Sequence, residues 1–204
     1  MSRPIGWVPA LTCSLTLTLG FGAAQAGESG SISIYGESPV RACGEAAELS
    51  AKSGTPSFVG LAACTDAVQN PLALTEGELA ASYLNRSVLL LAAGNHDAAI
   101  TDASAALRLQ PDLTEAFLDR AAAFMAKRRF SDAVADLTRA LALAPKQPAE
   151  AYYDRACARE ELGDLQGAYA DYREATRMDP AWDRPKTQLA RFKVVEVRKQ
   201  APGS

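Results

Sequence analysis

The 204-residue chain carries 21 Lys and Arg against 24 Asp and Glu, a formal charge of −3, is 48% hydrophobic but only 7% aromatic, and holds one histidine. That length suits one ordinary domain or a short array of repeats, and the scarcity of aromatic residues favours close-packed helices over a sandwich or barrel. The charge balance excludes a nucleic-acid footprint over the whole surface, and a single imidazole excludes His-rich zinc sites and argues against a Ser-His-Asp hydrolase.

Residues 1–26 read as an export signal: Arg3 precedes a largely apolar run from Trp7 to Ala24, and Ala24-Gln25-Ala26 offers small residues at the cleavage positions. The apolar core is shorter than the roughly 20 residues that span a bilayer. Cleavage near Ala26 and release into the periplasm or the exterior is therefore expected, without stable membrane insertion. Residues 27–39, rich in Gly and Ser, read as a flexible leader. Within 40–71, Val40 to Ser50 and Phe58 to Val68 form a candidate helical hairpin that places Cys43 and Cys64 on facing helices, 21 positions apart. Antiparallel helices bring such residues into register, and an oxidising compartment permits a disulfide. Two buried thiols filling the interface are the alternative.

From Ala80 onwards the chain repeats itself in three segments: 80–113, 114–147 and 149–182. Each opens with an aromatic residue (Tyr83, Phe117, Tyr152) and places a small residue four positions on (Ser87, Ala121, Ala156). A turn follows near the fifteenth place, at Gly94-Asn95, Arg128-Arg129 and Gly163-Asp164, and then alanines at 99, 133 and 168 and at 106, 140 and 175. Prolines 111, 145 and 180 close the units at spacings of 34 and 35, so each unit reads as two helices ended by proline.

Because so many positions recur together at one period, the pattern resembles the tetratricopeptide repeat. The resemblance implies an all-α superhelix of stacked hairpins, with 40–71 as a degenerate N-terminal hairpin and 183–199 as a capping helix that hides the last apolar face. It assigns the repeated small residues to close helix crossings. It also places a ligand groove on the first helix of each repeat. In this chain that face carries Leu84, Asn85, Val88 and Leu91, then Leu118, Asp119 and Met125, then Tyr153, Asp154, Cys157, Glu160 and Glu161. The groove so read begins apolar and ends acidic, which suits a peptide with apolar anchors and a basic end. Only Asn85 remotely fits the clamp of lysines and asparagines with which some members hold a terminal carboxylate. Cys157 reads as a small packing side chain or, left unpaired, as a thiol that is reactive or forms an intermolecular bond.

Polar residues recur as well. Arg86, Arg120 and Arg155 share the seventh place and Asp102, Asp136 and Asp171 the twenty-third. The planar guanidinium suits a carboxylate across a helix pair, giving structural ion pairs. A row of arginines reading an acidic ligand is the alternative. Between 183 and 199 six basic residues face two acidic ones, a local +4, as in a solvated cap whose basic end complements its helix dipole. Contact with an anionic membrane surface, a cell-wall polymer or another copy is the alternative use.

No glycine-rich phosphate loop or HExxH segment occurs, so no catalytic residue, metal or cofactor is implied, and His96 reads as a packing residue at the start of a helix. The expected function is a non-enzymatic protein–protein interaction module or assembly scaffold in the cell envelope, with a peptide or protein as partner and no nucleic acid. The alternatives are a self-associating homo-oligomer and a noncatalytic adaptor subunit of an envelope enzyme.

Overall fold

The structure, a computed structural model, describes residues 38–200, without the side chains of residues 73 and 193–200. The expected export signal, and the leader as far as residue 37, lie outside the described residues. Those described form nine α-helices: α1 (Pro39–Ser53), α2 (Phe58–Gln69), α3 (Glu76–Ala92), α4 (His96–Leu109), α5 (Thr114–Ala126), α6 (Phe130–Ala142), α7 (Pro148–Glu161), α8 (Leu165–Met178) and α9 (Asp183–Gln200). A short 3-10 turn, Pro71–Ala73, joins α2 to α3.

The helix ends follow from local chemistry. Thr75 and Glu78 form a reciprocal capping box that starts α3 four residues ahead of the repeat. The side chains of Asn95 and Asp164 cap α4 and α8, whereas Arg129 supplies no such acceptor to α6. The turn of every hairpin passes through the left-handed region, with φ of 67° at Gly54, 74° at Gly94, 57° at Arg128 and 80° at Gly163. Glycine takes this conformation freely and arginine at a cost. Gly54 thus marks 39–69 as a hairpin built to the same plan as the three that follow.

Consecutive helices pack as antiparallel pairs, and the pairs stack, with α1 also touching α3 and α3 touching α5. The first helices of successive hairpins consequently form an inner layer. Small side chains permit this closeness. Ser87, Ala121, Ala156, Ala99, Ala133 and Ala168 are each no more than 1% exposed, and Ala106, Ala140 and Ala175 are fully buried. In the first hairpin the same role falls to Gly60, where an added Cβ would collide with the Ala46 side chain.

The first hairpin is also stapled covalently. Cys43 and Cys64 form a disulfide with a Cα–Cα separation of 4.6 Å, both residues fully buried beside Ala47 and Leu89. Over a closed loop of that size such a bond contributes about 3 kcal/mol on a chain-entropy estimate.

Each repeated arginine pairs with the aspartate 16 residues on, across its own hairpin. Arg86 Nε and Nη2 donate to Asp102 at 2.6 and 2.8 Å, Arg120 to Asp136 at 2.7 and 2.8 Å, and Arg155 to Asp171 at 2.9 and 2.8 Å. The remaining Nη1 reaches back one hairpin, to Ser104 from Arg120 at 3.0 Å and to Thr138 from Arg155 at 3.1 Å. One guanidinium therefore ties three helices together. The opening aromatic of each repeat flanks it, with Tyr83, Phe117 and Tyr152 centred 5.5 to 5.8 Å from the guanidinium carbon. These arginines are engaged within the fold and do not form a row open to an acidic ligand.

At the C-terminal end Trp182 stacks on Tyr153 at 4.9 Å, and Phe192 of α9 lies 5.9 Å from Tyr172 and 5.8 Å from Tyr169. Leu189 packs against the same cluster. The last apolar face is thereby covered.

Candidate functional site

On the inner layer α1, α3 and α5 diverge around a cleft of about 420 Å³. Ser50 and Ala51 of α1 and the turn at Gly54 form one wall, Val88, Leu91 and Ala92 of α3 a second, and Asp119, Ala122 and Ala126 of α5 a third, with His96 at the start of α4. The lining is apolar because these helices turn their small and aliphatic positions inward, and Asp119 stands as its one acidic group.

Asp119 is partly buried, and its Oδ2 accepts from the Ser87 hydroxyl at 3.2 Å. That hydroxyl also points at the Leu84 carbonyl, 2.8 Å away, so a single proton serves two acceptors. Enclosure by the helices pushes the Asp119 carboxyl up to about 7; the Ser87 hydrogen bond opposes the shift and the neighbouring charge of Glu115 adds to it. Asp154 is pushed upward by the same cause, reinforced by Glu150 and opposed by Arg184, although its side chain is open to water. His96 keeps its Nδ1 buried without a hydrogen-bond partner.

The twelve residues assigned to a continuous groove divide into groups. The cleft brings together Val88, Leu91 and Asp119. Leu84 and Leu118 are partly buried outside it, and Asn85 lies against Gly44 of α1. Met125, Tyr153 and Cys157 are 6%, 9% and 2% exposed and belong to the core. Tyr153 is sandwiched between Tyr172 and Trp182, so the cap withdraws it from the groove. The Tyr172 hydroxyl faces Cys157 Sγ at 3.4 Å. No described cysteine is a free thiol, and the reactive-thiol alternative for Cys157 lapses.

The acidic end of the expected groove is neutralised as well. Glu160 accepts from the Tyr172 hydroxyl at 3.0 Å and pairs with Arg191 of α9 at 3.1 Å, while Glu161 pairs with Arg128 at 3.3 Å. Asp154 is exposed and lies near a cation, Arg184.

Sequence reasoning missed the α1 wall and the place of His96 in the lining. The signal for the wall was available in Gly54: taken as the fifteenth place of a repeat starting at Val40, it puts Ala51 at the twelfth place, in register with Leu91.

Among the described residues no group of three His, Cys, Asp or Glu side chains is arranged to hold a metal, and no helix is long and apolar enough to cross a membrane. The class that fold and cleft define is a helical-repeat scaffold, and its architecture is that of a tetratricopeptide-repeat solenoid. Family patterns described as tetratricopeptide repeat match residues 84–148 and 149–181. Among solved structures, the TPR domain of Arabidopsis OM64 is 26% identical, with a TM-score of 0.55 over 57% of this chain and 96% of that one. MamA from Desulfovibrio magneticus RS-1 is 18% identical, with a TM-score of 0.65 over 78% of this chain and 86% of its own. The first TPR domain of human RPAP3 is 22% identical, with a TM-score of 0.53 over 60% and 97%. No curated protein matches the chain.

Proposed function

We propose that the chain is a non-catalytic binding module of the cell envelope that takes a peptide or protein segment on the inner face of its solenoid. The observation that carries this reading is the open apolar cleft between α1, α3 and α5, large enough for side chains of a partner. Export supplies the compartment: the signal-like residues 1–26 direct it, and the Cys43–Cys64 bond is of a kind that persists in oxidising surroundings. Two measurements test the two halves. Intact mass of the protein recovered from the envelope fraction should begin at Gly27, and recovery of the full precursor in the cytosol refutes export. In a pull-down from envelope extract with residues 27–204, a Val88→Glu/Leu91→Glu variant should lose the captured partner while keeping its helical spectrum. Equal capture by both proteins removes the cleft from the binding surface.

Self-association has its own support. Leu49, Phe58 and Val59, 67%, 74% and 84% exposed, leave apolar surface on the first hairpin. Sedimentation equilibrium decides it: a monomer at tens of micromolar excludes this reading, and a dimer broken by Phe58→Ser establishes it.

A further inference from the structure

We propose that the cleft receives a lysine side chain of a partner peptide, its aliphatic stem against Val88, Leu91 and Ala122 and its ammonium against the Asp119 carboxylate. This rests on the peptide-binding reading of the same cleft and adds the chemistry it selects.

Three observations converge on a cation. Asp119 is the only carboxylate on a wall that includes no Lys or Arg, so an anionic ligand group would meet a like charge in an apolar enclosure. Among the described residues no Lys or Arg pairs with Asp119, in contrast to Asp102, Asp136 and Asp171, each held by a bidentate arginine. Its hydrogen bonding is also incomplete. Oδ2 shares the Ser87 proton with the Leu84 carbonyl, and among the described residues no donor reaches Oδ1. A partly buried carboxylate in this state gains most from a ligand that brings both a positive charge and hydrogen-bond donors.

The geometry favours ammonium over guanidinium. A guanidinium binds best where two acceptor atoms are free to meet its fork, and one oxygen of Asp119 is already engaged by Ser87. An ammonium needs a single oxygen, and its four-carbon stem matches the aliphatic wall. This preference is opposite in sign to the capture of a peptide's terminal carboxylate, for which the cleft lining offers no Lys or Arg.

The test uses nitrogen-15-labelled protein (residues 27–204) titrated with three end-blocked pentapeptides of sequence Gly-Leu-X-Leu-Gly, where X is lysine, Nζ-acetyl-lysine or glutamate. The lysine peptide is expected to shift amides of Ala51, Leu91 and Ala122 and to bind about ten- to a hundredfold more tightly than the acetylated one, the range of a charge-assisted hydrogen bond. Asp119→Asn should erase that preference. Glu174→Gln, which removes a half-buried carboxylate paired with Arg177 on α8, should preserve it. If all three peptides shift the cleft amides alike in parent and Asp119→Asn proteins, the cation assignment is overturned while the cleft remains a peptide site. If none shifts them, the lysine proposal is overturned and the pull-down judges the broader reading independently.

Discussion

The Arg120–Asp136 pair offers a direct measure of what the repeated polar register contributes. The two side chains are 21% and 9% exposed, so the aspartate is close to dry while water reaches one edge of the guanidinium. Arg120→Met removes both donors to Asp136 and, among the described residues, leaves its carboxylate with no other Lys or Arg paired to it, at an expected cost of about 3–4 kcal/mol. Asp136→Leu strands a guanidinium that still holds Ser104 at 3.0 Å and still touches water, at about 2–3 kcal/mol. The double variant buries no unpaired charge and should lose less than Arg120→Met alone, giving a coupling of about 2–3 kcal/mol. At roughly 2–4 °C per kcal/mol for a chain of this size, the worst single variant should melt about 6–16 °C below the parent. The third hairpin is an internal control, because Asp171 also accepts from Arg159 at 2.8 Å. Arg155→Met should therefore cost clearly less than Arg120→Met. The assay is urea unfolding followed by circular dichroism, with hydrogen exchange to confirm that each loss is local. Additive losses in the double variant, or equal losses in the two hairpins, would refute the reasoning.

Three further outcomes are expected. Replacing Cys43 and Cys64 by serine should cost about 3 kcal/mol, with hydrogen exchange rising first in α1 and α2; unchanged protection there would mean that packing alone holds the hairpin. Arg128→Gly should raise stability by about 0.5–1 kcal/mol, because relief of the φ of 57° outweighs an exposed pair with Glu161, and a loss of stability would reverse that ranking. For Asp119 the folded carboxyl, at about 7, holds its proton more tightly than its ordinary value of 3.8 allows, so its burial is unpenalised below about pH 4 and costs stability as pH rises through 7. Asp119→Asn should thus gain on the parent between pH 4 and 8, by about 1–2 kcal/mol at the upper end after allowing for partial exposure, whereas a pH-independent difference would disprove the burial effect.

The parts of this fold that were legible in sequence are those set by one hairpin and its neighbour. Small residues at 87, 121 and 156 mark helix crossings because no larger side chain fits, and the 16-residue step from Arg86 to Asp102 spans one hairpin wherever it recurs. The groove was less legible because it depends on the ends of the array. A register taken from interior repeats treats every first helix as open on its inner face. Yet Tyr153 and Glu160 meet α9 and its approach, a partner that interior repeats do not have. At the other end α1 supplies a wall, but its hairpin has four residues between helices where α3 and α4 have three, which blurs the period just where Ala51 enters the cleft. Arg128 shows a third limit: a left-handed turn can be held by an unfavourable residue when its neighbours are favourable, here with Lys127 tied to Asp97 in the preceding repeat and Arg128 to Glu161 in the next.

The Cys43–Cys64 bond reaches beyond the stability of its hairpin. Ser50, Ala51 and Gly54, one whole side of the cleft, belong to the segment that this bond fastens to α2, and α2 is in turn seated on α3. A chain with reduced cysteines holds that side by packing against Leu61, Val88 and Leu89, on the hairpin farthest from the aromatic cluster under α9. Thiol oxidation at Cys43 and Cys64 therefore braces one side of the cleft as well as the hairpin that carries it. The shape of that side of the cleft is thus set by a covalent bond as well as by packing.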